Sequence, residues 1–301
     1  MSKTFADVAG KRLSLANLDK DFYPSYGFTK AQVLDYYFRI SPYMLPHLKD
    51  RALTLKRYPD GAEGDSFFEK RCPVHRPSWV PTGEIPLEGG ERMTVCLAND
   101  LNTLIWVENL ASLELHVPLA RADAPEAPDS VVFDLDPGEG ADIIDCAKVG
   151  FIIRDLLIGL GLKNVVKTSG RKGLHVYVPL DRSETTFDDT KLFSKSVAEI
   201  LARNYPDLIT AKMAKEYRKE KVFINWSQND ASKTMVCIYS LRAAKKPTVS
   251  FPLTWEELEE AVEKGNREKL EITHSEALAR AEKTGDLFRA MISGTQRLPN
   301  V

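Results

Sequence analysis

The sequence lacks the long apolar segments that direct a chain into or across a membrane. No stretch approaches the roughly 18 consecutive apolar residues of a membrane helix. The first seven residues contain no apolar core of a secretory signal. We therefore expect a cytoplasmic protein with no membrane partner.

Closely spaced cysteine pairs are also missing. The four cysteines, Cys72, Cys96, Cys146 and Cys237, form no CxxC motif, which argues against a disulfide framework and a zinc knuckle. Cys72 and His75 have a metal-like spacing, but no second pair of ligands stands nearby. The sequence therefore predicts neither kind of cysteine site.

Neither sign of charge is in excess. The chain has 41 Lys and Arg against 43 Asp and Glu, a formal net charge of -2, so an anionic partner would need a local basic patch. Its 301 residues are 43% hydrophobic, which suffices for a large α/β unit with two lobes and a sizeable core.

Hydrophobic patterns predict a mixed α/β fold. Thr29 is a plausible N-cap for a helix from Lys30 to about Leu48, and the region 62–130 resembles surface loops with short strands. Further elements are predicted at 53–58 (strand), 131–135 (strand), 141–160 (helix), 164–168 (strand), 174–180 (strand), 188–204 (helix), 221–226 (strand), 235–239 (strand), 255–264 (helix) and 275–293 (helix). The order between 131 and 226 is typical of a split βαβ, RNA-recognition-like sheet.

The run Val131-Val-Phe-Asp-Leu-Asp-Pro137 places two aspartates two positions apart on a strand. Side chains at i and i+2 share a face, so Asp134 and Asp136 would lie side by side. Paired carboxylates favour Mg²⁺ or Mn²⁺ and a phosphate-bearing substrate. A strand end or an Asx turn before Pro137 gives the same pattern.

A glycine-rich turn, Ser169-Gly-Arg-Lys-Gly173, joins the next two predicted strands. Its glycines allow close approach to a ligand, Ser169 and the amides can donate to phosphate oxygens, and Lys172 supplies positive charge. An ordinary hairpin with His175 in the core is the alternative. The preceding aspartate pair favours a phosphate cradle, because metal-assisted nucleotidyl transfer needs both features.

A third group of polar residues follows the strand 221–226. Asn225 ends that strand, and Lys233 and Arg242 are cations of the kind that a triphosphate needs.

Taken together, the motifs strongly resemble the polymerase domain of the DNA ligase D family, which belongs to the archaeo-eukaryotic primase superfamily. They are Phe133-Asp-Leu-Asp-Pro-Gly-Glu-Gly140, Thr168-Ser-Gly-Arg-Lys-Gly-Leu-His-Val-Tyr177, Trp226-Ser-Gln-Asn229, Tyr239-Ser-Leu-Arg242, Phe67-Phe-Glu-Lys70 and Leu113-Glu-Leu-His-Val-Pro118. The resemblance implies one primase-polymerase domain over 1–301, with an RNA-recognition-like catalytic sheet, a second mixed sheet and flanking helices. The approximate lobes are 1–130, 131–250 and 251–301.

Position by position, the resemblance also implies the roles of individual residues. Asp134 and Asp136 would bind two Mg²⁺ or Mn²⁺ ions, with Asn225 as the third catalytic position. The nucleotide contacts would be His116, Ser169, Lys172, His175, Lys233 and Arg242. The downstream 5′-phosphate of DNA would contact Asn17, Lys20 and Lys30, and Phe67 and Phe68 would stack on template bases.

Asn225 departs from the family pattern, which has aspartate at this position. An amide is neutral and accepts no proton, so it would hold a catalytic metal less well than a carboxylate. We expect normal binding of DNA ends and nucleotide, with weakened or absent primer extension.

The resemblance implies a DNA-end-repair polymerase that adds NTPs or dNTPs, preferably ribonucleotides, to a primer 3′-hydroxyl. Its DNA would have a gap, nick or 3′ overhang and a 5′-phosphate, and Ku, a DNA ligase and a phosphoesterase are the expected partners at the nucleoid. Two alternatives stay open, a non-catalytic module that aligns DNA ends and a primase.

Overall fold

The structure is a computed structural model, and it describes residues 3–299. Six α-helices lie in this range: α1 (Lys30–Leu48), α2 (Leu101–Asn109), α3 (Ile143–Gly159), α4 (Phe187–Asn204), α5 (Trp255–Glu263) and α6 (His274–Thr284). None of the helices within 3–299 has the length and apolar character needed to cross a membrane.

The strands in chain order are β1 (Lys3–Val8), β2 (Lys11–Ala16), β3 (Asp21–Tyr23), β4 (Phe28–Thr29), β5 (Thr54–Arg57), β6 (Phe67–Glu69), β7 (Thr82–Pro86), β8 (Arg92–Cys96), β9 (Ser112–Val117), β10 (Ala120–Arg121), β11 (Ala124–Pro128), β12 (Ser130–Pro137), β13 (Val165–Thr168), β14 (Leu174–Pro179), β15 (Ile209–Thr210), β16 (Val222–Asn225), β17 (Met235–Val236), β18 (Leu241–Arg242), β19 (Thr248–Val249) and β20 (Pro252–Leu253). The predicted mixed α/β class is confirmed.

The chain divides into two compact units. Unit 1 comprises the described residues up to Asp123, with Val236–Val249 and Thr273–Asp286, and unit 2 comprises the remainder. The first boundary lies seven residues before the predicted lobe boundary at 130/131. The predicted C-terminal lobe 251–301 is shared between the units, because its helix α6 packs on α1.

Unit 2 is built on a six-stranded sheet with the order β15-β16-β12-β14-β13-β20. The central strand β12 pairs antiparallel with β14 on one side and β16 on the other. Val131, Phe133 and Leu135 alternate along β12 and are fully buried, packed with the apolar sides of α3 and α4. The intervening residues of β12, including both aspartates, therefore face the other side of the sheet.

Unit 1 contains a four-stranded sheet with the order β17-β9-β5-β6, together with α1, α2 and α6. The pairings of β5 with β6 and β9 are antiparallel. Helix α1 begins with the predicted cap, in which the Thr29 Oγ1 accepts from the Gln32 amide and the Gln32 side chain accepts from the Thr29 amide.

Three predicted elements differ from the structure. Residues 62–130 contain the buried helix α2, which begins at the cap residue Asp100. The helix predicted for 275–293 ends at Thr284, because Gly285 takes a φ of 72°. The strand predicted for 235–239 ends at Val236, and Tyr239 has a φ of 64°.

The expectation that the cysteines form no disulfide was wrong for one pair. Cys72 and Cys96 are bonded across a separation of 24 residues. The Cys72 amide also donates to the Thr94 carbonyl at 2.8 Å. The disulfide therefore joins the segment after β6 to the end of β8. The spacing of the cysteines in the sequence does not show that these two segments are in contact.

Reduction of this disulfide is expected to destabilise unit 1. A crosslink that closes a loop of this length removes unfolded-state entropy worth about 3 kcal/mol. Thermal unfolding with and without dithiothreitol measures the effect, and Cys72→Ser is the control because its unfolding should not respond to the reductant. An identical melting temperature for the reduced and oxidised wild-type protein would contradict the prediction.

Candidate active site

Four polar side chains form a row across the sheet of unit 2. The strand registers place Asn225 opposite Asp134, Asp134 opposite His175, and His175 opposite Lys167. Directly opposed residues project from the same face of a sheet. The row is therefore a consequence of strand pairing, and it brings together three of the residues that the sequence predicted.

Both carboxylate oxygens of Asp134 have partners in this row. Oδ1 lies 3.2 Å from the His175 Nε2, and Oδ2 accepts from the Asn225 Nδ2 at 3.1 Å. The Asn225 Oδ1 accepts instead from the Ser227 Oγ at 2.8 Å, and that hydroxyl oxygen accepts from the Lys233 Nζ at 2.8 Å. Lys233 is thus connected to Asp134 through two neutral side chains.

Asp136 lies on the same face of β12 as Asp134. Burial and the negative charge of Asp134 together raise the pKa of Asp136 to about 7, although the positive charge of Arg218 acts in the opposite direction. Two adjacent carboxylates of this kind fit a divalent cation, which removes their repulsion. Within residues 3–299, no group of three or more His, Cys, Asp and Glu side chains is arranged to hold a metal.

The raised pKa of Asp136 predicts a pH-dependent stability of the metal-free protein. A carboxyl group with a folded-state pKa above its ordinary 3.8 contributes stability at low pH, and this contribution is lost as the pH rises through about 7. We expect Asp136→Asn to raise the free energy of unfolding at pH 8.5 by about 1–3 kcal/mol relative to wild type.

Chemical denaturation at pH 5.5 and 8.5 in the presence of a chelator measures this effect. Mn²⁺ added at pH 8.5 should stabilise the wild type more than Asp136→Asn. The prediction fails if the wild type and the variant show the same difference between the two pH values.

The glycine-rich turn is held closed by its own serine. The Ser169 Oγ accepts from the amides of Arg171 and Gly173 at 3.2 and 3.0 Å, and the Ser169 amide donates to the Gly173 carbonyl at 2.9 Å. Gly170 has a φ of 71°, which favours glycine. Lys172 is exposed at the tip of the turn.

Gly173 allows this turn to pack against β12, the aspartate strand that carries Asp134 and Asp136. A Cβ atom at Gly173 would lie 2.2 Å from the Leu135 carbonyl oxygen, so no other residue fits there without a shift of the backbone. The close approach places the turn beside Asp136, whose Oδ1 would be 3.8 Å from the same Cβ.

Two of the predicted nucleotide contacts, His116 and Arg242, belong to unit 1. Both lie against Glu114, whose Oε2 is 3.1 Å from the His116 Nε2 and 3.4 Å from the Arg242 Nε. Glu114 belongs to the motif Leu113-Glu-Leu-His-Val-Pro118, but no role was predicted for it. The alternation Leu-Glu-Leu-His indicated that Glu114 and His116 share a face.

The predicted 5′-phosphate residues differ in accessibility. Asn17 is exposed in the left-handed region with a φ of 55°, and its carbonyl accepts from the Lys20 amide. The Lys20 side chain is 35% exposed and forms an ion pair with Asp60. Lys30 is buried, and its ammonium donates to the Ala16 carbonyl and to both oxygens of Asn109.

The predicted stacking residues Phe67 and Phe68 are 47% and 57% exposed on β6. Each carries a cation over its ring at 5.3 Å, Arg57 over Phe67 and Lys56 over Phe68. The Phe68 ring also meets the His116 ring edge-on, with centroids 5.5 Å apart. Exposed rings beside cations are typical of surfaces that bind single-stranded nucleic acid.

Sequence reasoning missed two charged residues of unit 2. Lys167 is 1% exposed at the end of the polar row, and its Nζ donates to the Ser250 Oγ at 2.6 Å. The Arg218 guanidinium group stacks on the Phe223 ring, and its positive charge acts to lower the pKa of Asp136. A lysine in the apolar run of a predicted strand is the signal that could have identified Lys167.

Comparison with known proteins identifies the family. The model of the family described as "LigD, primase-polymerase domain" matches residues 29–288. The multifunctional non-homologous end joining protein LigD of Mycolicibacterium smegmatis is 40% identical over 280 residues, covering 92% of this chain and 36% of that protein. The bifunctional LigD of Bacillus subtilis is 32% identical over 251 residues, covering 83% of this chain and 40% of that protein.

A solved structure, the polymerase domain of Mycobacterium tuberculosis ligase D in complex with DNA, superimposes with a TM-score of 0.86 at 36% identity. The match covers 95% of this chain and 99% of the solved one. These similarities confirm the predicted fold. The chain belongs to the LigD primase-polymerase domain family, a family of DNA-repair nucleotidyltransferases.

Proposed function

We propose that this chain binds gapped, nicked or annealed DNA ends and adds nucleotides to a primer 3′-hydroxyl. The observation that carries the proposal is the polar row of unit 2, in which Asp134 lies between His175 and Asn225 with Asp136 on the same face. Membership of the LigD primase-polymerase family supports it.

Asp134 and Asp136 would hold divalent metal, which we propose to be Mn²⁺ or Mg²⁺. When bound, such ions neutralise triphosphate charge and activate the attacking hydroxyl. His175 holds one oxygen of Asp134 and so fixes the orientation of that carboxylate. Lys233, held by Ser227, supplies positive charge on the side of Asn225.

The remaining nucleotide contacts are proposed from the family motifs. Ser169 and Lys172 occupy the turn beside the aspartates, where a phosphate would meet backbone amides and a cation. His116 and Arg242 are assigned to the nucleotide on the resemblance alone. A preference for ribonucleotides is part of the same proposal.

The chain spans 36% and 40% of the two LigD relatives described above. Ku, a DNA ligase and a phosphoesterase are therefore proposed as partners, in a complex at the nucleoid or as parts of a longer protein. The downstream 5′-phosphate would bind at Lys20, with Asn17 and Lys30 beside it.

A gapped duplex with or without a downstream 5′-phosphate, offered NTP or dNTP with Mn²⁺, tests the proposal. We expect tighter binding to the phosphorylated gap and weak, template-directed incorporation that favours NTP. Equal binding to both duplexes together with no incorporation would refute the proposed function.

Asn225 favours a second candidate, a module that aligns DNA ends without catalysis. This candidate predicts 5′-phosphate-dependent binding and no incorporation at any metal concentration. The same assay with unprimed single strands tests the primase alternative, which requires a dinucleotide product.

A further inference from the structure

Strand β9 carries Glu114 and His116 on one face, because the two residues are two positions apart. Leu113 and Leu115 lie on the other face and are fully buried. The Glu114 side chain is itself fully buried. A buried carboxyl group is costly unless hydrogen-bond donors surround it.

Three hydrogen-bond partners and one cation of unit 1 surround this carboxyl group. The Glu114 Oε1 accepts from the Tyr58 hydroxyl and from the Ala243 amide, both at 3.0 Å. The Oε2 faces the His116 Nε2 at 3.1 Å and the Arg242 Nε at 3.4 Å. Although burial acts in the opposite direction, these donors hold the pKa of Glu114 well below its usual value, so the group is a carboxylate.

An ionised Glu114 determines which ring nitrogen of His116 carries the proton. A carboxylate only accepts hydrogen bonds, so the His116 Nε2 must be protonated. Burial lowers the pKa of His116 below its usual value, with help from the charges of Arg242 and Lys56, although Glu114 acts in the opposite direction. At neutral pH the ring is therefore neutral, and its Nδ1 is a hydrogen-bond acceptor.

Arg242 is held by the same oxygen. Its side chain is 12% exposed, and its Nε faces the Glu114 Oε2. A guanidinium group is a permanent cation whose planar arrangement of N–H donors suits phosphate oxygens. One carboxylate thus orients an acceptor and a cationic donor.

We propose that Glu114 is a positioning residue for nucleotide binding, which fixes His116 as the Nε2-protonated tautomer and orients the guanidinium group of Arg242. His116 then accepts a hydrogen bond from a hydroxyl of the nucleotide sugar, and Arg242 contacts phosphate. This inference rests on the proposed function, because it takes His116 and Arg242 as nucleotide contacts.

Nitrogen-15 NMR of the imidazole rings tests the first step without any activity measurement. In the wild-type protein we expect the Nε2-protonated tautomer of His116 at pH 7.5, with the signal assigned by its loss in His116→Gln. In Glu114→Gln we expect a changed tautomer population and a lower His116 pKa, since the Glu114 charge raises that pKa. Tyr58→Phe removes one donor to Glu114 and should leave the tautomer unchanged.

Nucleotide binding tests the second step. Titration of wild type, Glu114→Gln and His116→Gln with NTP and Mn²⁺ should give about tenfold weaker binding for each variant. Affinity for DNA with a 5′-phosphate should not change. A 2′,3′-dideoxynucleotide should bind wild type and His116→Gln with similar affinity, because it has no sugar hydroxyl to donate. It should bind Glu114→Gln more weakly, because its phosphates still need an oriented Arg242.

Three outcomes would overturn the inference. The first is the Nδ1-protonated tautomer in the wild type, a result that needs no variant to fold. The second is weaker binding by His116→Gln with unchanged binding by Glu114→Gln. The third is unchanged NTP binding by both variants, which removes the nucleotide assignment of His116. Template-directed incorporation with the third outcome would show that the proposed polymerase function survives without this inference.

Discussion

Replacing Asn225 with aspartate is expected to increase the rate of primer extension by roughly 100-fold. In this chain the Asn225 Nδ2 donates to Asp134, and the His175 Nε2 faces the other oxygen. Both carboxylate oxygens of Asp134 therefore have partners within the protein even when no cation is bound. A third carboxylate would replace a donor with a repelling charge, and divalent metal would be needed to hold the three groups together.

Metal binding provides a second measurement for Asn225→Asp. The variant should be less stable than wild type in chelator and gain more stability from Mn²⁺, as thermal unfolding would show. Asn225→Ala is the matched control, since it removes the amide without adding a charge and should not gain activity. Equal extension rates for wild type and Asn225→Asp would contradict the prediction.

Replacing Lys30 with alanine is expected to cost about 3 kcal/mol of unfolding free energy. The Lys30 ammonium is the shared donor for the Ala16 carbonyl and both oxygens of Asn109. Burial lowers the pKa of Lys30 to about 8, and nearby Glu108 acts in the opposite direction. Its removal takes one donor away from three partly buried acceptor oxygens and removes the cation beside the buried Glu108, so a lower midpoint in denaturant is expected.

Lys20→Ala is the matched control, because Lys20 is more exposed and its ion pair with Asp60 contributes little to stability. We expect it to unfold as the wild type does. It should lose much of the preference for a 5′-phosphate and reduce the salt dependence of DNA binding by about one counterion. Equal stability of the Lys30→Ala and Lys20→Ala variants would refute the structural role of Lys30.

Local patterns were sufficient to predict the centre of unit 2. The alternation of Val131, Phe133 and Leu135 with the aspartates placed Asp134 and Asp136 on one face, and the structure has them there. The glycine-rich turn was also predicted from its residue types, because Gly170 can take a positive φ and Ser169 can form hydrogen bonds with amides of the turn.

Elements without a clear hydrophobic periodicity were predicted poorly. Helix α2 is buried on nearly every side, and the buried residues include the polar Asn102, Thr103 and Glu108, so its sequence has no exposed polar face to mark it as amphipathic. The C-terminal helix was predicted too long, because the strength of Gly285 as a stop signal was underestimated.

Contacts between distant segments were beyond local reasoning. The disulfide between Cys72 and Cys96 and the acceptors of Lys30 depend on how strands and loops pack. The pairing of Arg242 with Glu114 joins residues more than 100 positions apart. Such contacts leave no trace in the spacing of residues along one segment.

The close approach of Gly173 to the Leu135 carbonyl has a consequence for motion. The turn and the strand pack backbone against backbone at this point, because a side chain at Gly173 would overlap the Leu135 carbonyl oxygen. The amides of Ser169 and Gly173 are also hydrogen-bonded within the turn. The turn and the aspartate strand should therefore open together, and their amide hydrogens should exchange with solvent as one cooperative group.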